Sequence, residues 1–307
     1  MTIATGVGTS YTWTVPLSIA NSFPNSTSGS ITIRCITYNG STQIGDAKTC
    51  TLKINVPNVP PSCSVSISEA VAAVTSAFGS RYVQGLSQLN IAIAAAGVYG
   101  STIRSYSTSV DGVTYNSSAF TTNVINASGS ITVKTTVTDS RGRTATVTKT
   151  INVLAYSPPA ITGMTYQQCD ADGTANPTGS STKITISGRV TDVGGQNTRS
   201  LILKWKKSTE TAYQTRTLTT SGYTFTVSTI VNGTTTDETY EFIAVLADKI
   251  KTVEYEITTG IIAMSVLAGG KGVRFFGEAE EEGLVIDKIN YSMTEAEYNE
   301  LISLMGG

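Results

Sequence analysis

The chain repeats one stretch, SGSITI at residues 28–33, which returns as SGSITV at residues 128–133. Each copy continues through a polar turn into a Thr-rich segment, which ends in KINV at residues 53–56 and in TINV at residues 150–153. Self-similarity at a fixed period identifies repeated modules before any other motif is considered. Because apolar and polar residues alternate in these segments, we predict β-strands that have one face in water.

A pair of prolines closes each copy of the repeat, at Pro60-Pro61 and at Pro158-Pro159. An X-Pro bond disfavours helix and favours a stiff, extended connection. A period of about 98 residues suits one sandwich of immunoglobulin type. We therefore predict an all-β chain of tandem immunoglobulin-like or fibronectin-III-like β-sandwiches, with a small C-terminal β element and a short α-helix. The predicted modules are residues 1–57, 58–155, 156–260 and 261–307.

The first predicted module is short. Residues 1–57 are too few for a seven-strand sandwich. We expect either a reduced module or the end of a domain cut from a longer protein, and we favour the second interpretation.

Two aromatic residues of the third module are predicted to lie in a sandwich core. Trp205 falls within the predicted strand 201–207, where such domains place a core indole, and Tyr240 stands at the start of a late strand, where they place a corner tyrosine. In the second module, Ser68 predicts the N-cap of a short helix over residues 69–77.

The composition restricts the possible classes of function. The 307 residues include 21 basic and 22 acidic side chains and no histidine. A net charge near zero gives no electrostatic reason to bind nucleic acid or an anionic membrane, and no apolar run is long enough to span a bilayer. Without histidine, the chain lacks the commonest general base and metal ligand. We therefore expect no enzyme, no cofactor, no nucleic-acid partner and no membrane insertion.

One short acidic segment invites comparison with a calcium site. Residues 169–176, CDADGTAN, contain Asp-x-Asp-Gly. A full Ca²⁺ loop needs about six oxygen ligands, whereas residues 178–182 supply only neutral groups. We predict a turn held by local Asx hydrogen bonds and no metal site.

Cysteines and tyrosines are the other candidates for surface chemistry. Cys35 and Cys50 can face each other across neighbouring strands, although reduced, buried thiols are the favoured interpretation. Tyr99, Tyr106 and Tyr115 are candidates for sugar or protein contacts. Packing in the core or at its rim is the favoured interpretation for these three.

The C-terminal residues predict a helix. Residues 294–297, TEAE, form a capping box. The helix that follows places four apolar side chains on one face, a candidate docking or oligomer interface formed by Tyr298, Leu301, Ile302 and Met305. About ten residues are too few for a helix that persists alone. Its partner is therefore either the preceding β element of its own chain or the same helix in two neighbouring subunits.

Several glycine-rich segments resemble a known family. The sequence GGKGVRFFG at residues 269–277, followed by EAEEEGLVI at 278–286, resembles the C-terminal β element of minor structural proteins from siphophage tail tips and baseplates. CDADGT at 169–174 and YVQGLS at 82–87 also look like segments of that family, and the likeness spans most of the chain. The resemblance implies a virion tail protein with tandem immunoglobulin-like repeats, assembled in the host cytoplasm.

The resemblance also implies partners and a function. The partners would be other phage tail proteins, further copies of the chain in a homotrimer, and a host cell-wall saccharide or surface protein. The chain would be a structural component of a phage tail tip, baseplate or tail fibre, which spaces and attaches the virion to the host surface. The alternative is a bacterial cell-surface adhesin or carbohydrate-binding module from a larger protein.

Overall fold

The computed structural model describes residues 1–260 and, beyond them, the backbone of three short strands at 264–266, 272–275 and 283–286. Contacts divide the chain into two compact units, Met1–Tyr156 and Ser157–Gly307. The predicted all-β class is confirmed, because both units are built from packed β-sheets. The predicted C-terminal helix lies outside the described residues.

The elements of the first unit are the 3₁₀ helix Leu17–Ser22, β1 Ser28–Cys35, β2 Tyr38–Asn39, β3 Thr42–Gln43, β4 Lys48–Asn55, β5 Ser62–Glu69, α1 Ala72–Phe78, β6 Tyr82–Val83, β7 Leu89–Ala96, β8 Ile103–Val110, β9 Val113–Tyr115, β10 Ala119–Thr121, β11 Gly129–Asp139 and β12 Thr144–Leu154. Those of the second unit are β13 Ala160–Cys169, β14 Ser181–Arg189, β15 Ser200–Lys207, β16 Gln214–Leu218, β17 Thr224–Asn232, β18 Tyr240–Ala247, β19 Thr252–Thr258, β20 Met264–Val266, β21 Gly272–Phe275 and β22 Gly283–Ile286.

A sandwich of two sheets forms most of the first unit. One sheet has the order β10-β7-β5 and the other the order β6-β12-β11-β8-β9. Alternate residues of β11, including Ile131, Val133 and Val137, are buried and pack in one cluster with Ile91 of β7. The alternation of polar and apolar residues therefore marks strands with one buried face, as predicted, and that apolar face covers the opposite sheet.

The N-terminal segment of this unit is a two-stranded antiparallel hairpin, β1 with β4, extended at its tip by β2 and β3. Its strands are the first copy of the repeat, and β11 with β12 are the second copy. Few of its apolar residues are buried; Ile54 in β4 is one, and Val56 directly after β4 is another. Such a hairpin has too little core for stability of its own, so it depends on contacts with the sandwich.

The second unit contains a seven-stranded sandwich, with β13-β14-β17 in one sheet and β16-β15-β18-β19 in the other. Trp205 and Tyr240 both lie in its core, as predicted. The Tyr240 hydroxyl donates a hydrogen bond to the carbonyl oxygen of Gly233 at 3.2 Å. Tyr240 therefore forms the corner typical of immunoglobulin-like sandwiches, in which a core tyrosine ties a strand to the backbone a few residues upstream.

The predicted start of the short helix is wrong. The helix α1 begins at Ala72, whereas Ser68 and Glu69 still belong to β5 and pair with β7. The extended residue Val71 stands at the N-cap, and its backbone N–H donates to Oε1 of Glu69 at 2.8 Å. Sheet pairing therefore outweighs the capping preference of Ser68.

Candidate functional site

The residues predicted as an interface, Tyr298, Leu301, Ile302 and Met305, lie outside the described part of the chain, and their role stays a prediction. The three tyrosines named as contact candidates are half-buried in the first unit. Tyr106 and Tyr115 pack against its core cluster. Tyr115 also stacks on Phe120, with the ring centroids 4.5 Å apart. These contacts confirm the favoured interpretation of core or rim packing for this pair.

The Asp-x-Asp-Gly segment forms the predicted turn. The Asp172 carboxylate accepts a hydrogen bond from the backbone N–H of Thr174, and the Asp170 carboxylate accepts one from the Asn176 amide, both at 2.8 Å. The contact with Thr174 lowers the pKa of Asp172. Within residues 1–260 there is no group of three or more acidic or cysteine side chains close enough to hold a metal ion.

All four cysteines are free thiols. Cys35 and Cys50 are exposed, so the favoured interpretation of buried thiols is wrong for them, while Cys169 is buried. Cys63 is half-buried, and burial raises the pKa of its thiol. The exposure of Cys35 and Cys50 follows from the sparse core of the N-terminal hairpin.

A cleft of about 350 Å³ opens in the second unit near the tyrosine corner. Strand β13 and the turn after it supply one wall, and the loop before β18 supplies another. Its principal lining residues are Tyr166, Gln168, Asn176, Thr182, Thr236 and Glu238. The cleft therefore has a mixed lining, in which hydroxyl and amide groups stand beside apolar surface and the rings of Tyr166 and Tyr240.

The inner wall of the cleft is held rigidly by hydrogen bonds. The Gln168 amide donates to the carbonyl oxygen of Thr234 at 3.0 Å, and its oxygen accepts from the Thr182 hydroxyl at 3.2 Å. Thr182 also shares a bond of 2.7 Å with the Thr234 hydroxyl. Tyr166 stands at the rim with 44% of its surface exposed. A fixed polar wall beside an accessible ring suits a neutral polyhydroxylated ligand, which stacks on the ring and hydrogen-bonds to hydroxyls and amides.

A buried arginine joins the N-terminal hairpin to the sandwich of the first unit. The Arg141 guanidinium donates hydrogen bonds to five backbone carbonyl oxygens, those of Ala20, Phe23, Ser26, Val98 and Tyr99. The first three lie in the segment before β1 of the hairpin, and the other two follow β7 of the sandwich. Burial and the neighbouring Arg143 lower the pKa of Arg141, and Asp139 partly offsets them.

Asp139 and Arg143 complete this cluster, which we call the arginine latch (Asp139, Arg141 and Arg143). The Asp139 carboxylate accepts from the backbone N–H groups of Arg141 and Arg143 at 2.9 and 2.8 Å. Arg143 donates to the carbonyl oxygen of Val56 at 3.2 Å. Sequence reasoning missed the latch, although DSRGR at residues 139–143 places two arginines in one tight turn of a chain that has few charges.

The sequence matches a family model that is described as a siphovirus protein of unknown function (DUF859), over residues 1–290. The chain belongs to this siphovirus family. The predicted resemblance is therefore confirmed at the level of a siphovirus protein. No curated protein has a sequence that matches this siphovirus protein.

Two solved structures give distant matches to this siphovirus protein. The chicken CNTN1 FN1–FN3 domains share 12% identity over 75% of each chain, with a TM-score of 0.24. A chimeric titin Z1Z2-Z1Z2 tandem shares 10% identity over 66% of this chain and 90% of the other, with a TM-score of 0.21. The sandwich fold is accordingly assigned from the strand order and the two cores. Among the described residues, no helix has the length and apolar character needed to cross a membrane.

Proposed function

We propose that this siphovirus protein is a structural component of the phage tail tip, baseplate or tail fibre, which spaces and attaches the virion to the host surface. The observation that carries the proposal is the tandem arrangement of β-sandwich modules in a siphovirus protein, each with its own apolar core. A module with its own core can fold independently of its neighbours, so tandem modules suit a protein that serves as a structural spacer. Assembly takes place in the host cytoplasm, and the mature location is the virion tail.

Attachment in this proposal uses shallow polar contacts. The cleft beside Tyr166 supplies hydroxyl and amide groups and one exposed ring, which are the groups that hold a host cell-wall saccharide. One such contact is weak, and several copies of the chain acting together raise the avidity without any new contact. The partners are other tail proteins and further copies of the chain, with a homotrimer as the proposed assembly. No nucleic acid, no membrane insertion and no cofactor are involved.

We propose that the chain attaches to the host surface without catalysing any reaction there. A glycoside hydrolase needs two carboxyl groups at a fixed separation across a cleft. Among the described residues that line the cleft, Glu238 alone carries a carboxylate, and it lies 3.8 Å from the Lys207 ammonium. We expect a flat time course when the chain is incubated with labelled host cell wall, and release of soluble glycan would contradict this part of the proposal.

Location in the virion is tested by immunogold electron microscopy with antibodies raised against the chain. The expected result is label at the end of the tail that lies away from the capsid. Label on the capsid, or purified virions that contain none of the protein by mass spectrometry, would refute the tail assignment.

Attachment is tested by surface plasmon resonance on purified host cell wall and on cell wall from an unrelated bacterium. We expect binding to the host wall alone, and a loss of at least about fivefold in affinity for Tyr166→Ala, since truncation of an important contact residue costs more than about 1 kcal/mol. Tyr255→Ala is the matched control, because Tyr255 is 41% exposed in the same unit but does not line the cleft. Equal binding to both walls, or equal losses in both variants, would overturn the attachment site.

The proposed homotrimer is tested by light scattering of the purified chain. A trimer has three times the chain mass of 32.2 kDa. A measured mass near that of one chain at working concentration would contradict it.

A further inference from the structure

Two exposed thiols lie on the same face of the N-terminal hairpin. In the β1–β4 register, Cys35 is opposite Lys48 and Cys50 is opposite Ile33. Cys35 and Cys50 are therefore diagonal neighbours, because side chains two positions apart share a face. Diagonal neighbours lie about 7–8 Å apart, and a disulfide requires Cα atoms about 4.4–6.8 Å apart. In this register the two cysteines remain free.

The second copy of the repeat pairs its strands differently. Matching SGSITI to SGSITV places Cys35 at the position of Thr135, and matching KINV to TINV places Cys50 at the position of Val147. Thr135 and Val147 are direct partners across β11 and β12. The same repeat therefore has a second register, in which the positions of the two cysteines are directly opposite each other.

The register of the second copy also gives the N-terminal hairpin better apolar pairs. The structure pairs Ile31 with Leu52 and Ile33 with Cys50. A displacement of two residues pairs Ile31 with Ile54 and Ile33 with Leu52, and it removes Lys48 from the position opposite Cys35. Strands displaced by two residues, or about 7 Å, keep every side chain on its original face. No side chain has to change from the buried face to the solvent face.

The ends of the hairpin determine how such a displacement is accommodated. At the tip, residues 44–46 are exposed and Gly45 has a φ of 65°, so the turn can take up extra residues. At the base, the backbone N–H of Val56 donates to the carbonyl oxygen of Thr27 at 2.9 Å, and Arg143 holds the carbonyl oxygen of Val56. These contacts favour the register that the structure shows, so a covalent bond is needed to hold the other one.

We propose that Cys35 and Cys50 are a redox site, in which oxidation joins the two thiols by a disulfide and fixes the hairpin in the register of the second copy. The oxidant is a small-molecule disulfide such as oxidised glutathione. One cysteine thiolate attacks it and expels a glutathione thiolate, and the second cysteine thiolate then attacks the mixed disulfide and expels the other. Two S–H bonds are replaced by one S–S bond, and the two protons and two electrons leave on two molecules of reduced glutathione.

This inference rests on the proposed function for one point, the change of environment that oxidises the two thiols. The cytoplasm keeps thiols reduced, whereas disulfides persist outside it. A tail protein is assembled in the first environment and acts in the second. The hairpin therefore changes from the free-thiol register to the disulfide register after release of the virion.

The experiment equilibrates the full chain in mixtures of reduced and oxidised glutathione, blocks free thiols and analyses tryptic peptides without reduction. Cleavage after Arg34, Lys48 and Lys53 places Cys35 in peptide 35–48 and Cys50 in peptide 49–53. We expect mass spectrometry to find these two peptides joined, with a mass two hydrogen atoms below the sum of their masses. Non-reducing electrophoresis should show that the link lies within one chain. Cys35→Ser must abolish the joined peptide.

A second variant tests the register. Ile33→Cys combined with Cys35→Ser places two thiols directly opposite in the register of the structure, but diagonal in the register of the second copy. We expect the native pair to have an effective concentration against glutathione at least about tenfold higher than the variant pair. A native pair that forms only glutathione adducts or only links between chains, or a variant pair that closes as well or better, overturns the proposal. These outcomes do not depend on where the protein lies in the virion.

Discussion

Replacing Arg141 by Met tests the arginine latch, because the change removes the guanidinium and keeps a long apolar stem in its place. The variant removes one donor from each of five backbone carbonyl oxygens, of which those of Ala20, Phe23 and Val98 keep a second donor. The Arg141 side chain is 8% exposed, so solvent replaces few of these bonds. A hydrogen bond to a charged group contributes roughly 1.5–3 kcal/mol, and several lost from one side chain do not add fully, so we expect a total cost of roughly 3–5 kcal/mol. We expect the variant to lower, by this amount, the free energy needed to detach the hairpin from the sandwich.

Hydrogen–deuterium exchange followed by mass spectrometry measures this free energy locally. Exchange of the β1 and β4 amides should accelerate by roughly two to three and a half orders of magnitude, since each factor of ten corresponds to about 1.4 kcal/mol. Amides of β11 in the sandwich core should change far less. The local readout is needed because a chain of two units does not unfold in one transition.

Arg104→Met is the matched control, because Arg104 is an exposed arginine on β8 of the same unit. Its effect should stay within about 0.5 kcal/mol. Unchanged exchange of the hairpin in the Arg141 variant would refute the latch. Equal acceleration in the hairpin and in the sandwich would also refute it, because the latch would then support the whole unit and not the hairpin.

Three further predictions concern the second unit. Tyr240→Phe removes the hydrogen bond to Gly233 and should lower the free energy of unfolding by about 1 kcal/mol, measured by urea denaturation of this unit. Phe242→Ala empties a fully buried position and should cost about 3–5 kcal/mol in the same assay. The hydrogen bond to Glu241 raises the pKa of Tyr213 to about 12. The unfolded state therefore releases the phenol proton at a lower pH than the folded state, and stability falls as the pH rises from about 10. Absorbance titration of Tyr213 checks this against Glu241→Gln, in which the pKa should return toward 10.

The sequence predicted the all-β fold class and the core position of Tyr240 because their signals are local. Alternation in β11, the paired prolines and the corner tyrosine Tyr240 each depend on residues close together in the chain. The start of α1 was predicted three residues too early, since the capping signal of Ser68 is also local but pairing of β5 with β7 overrides it. The cleft beside Tyr166 was missed, because segments about 70 residues apart meet there.

The sequence by itself determined that this protein is a tandem array of β-modules with two copies of one repeat. Tertiary structure alone decided what each copy does with that repeat. The Arg141 guanidinium reaches the carbonyl oxygen of Ala20, 121 residues away, and one copy pairs its strands two residues out of step with the other. Side-chain alternation specifies which face of a strand is buried, but a displacement of two residues preserves that face. The choice of register therefore depends on distant contacts that no local pattern encodes.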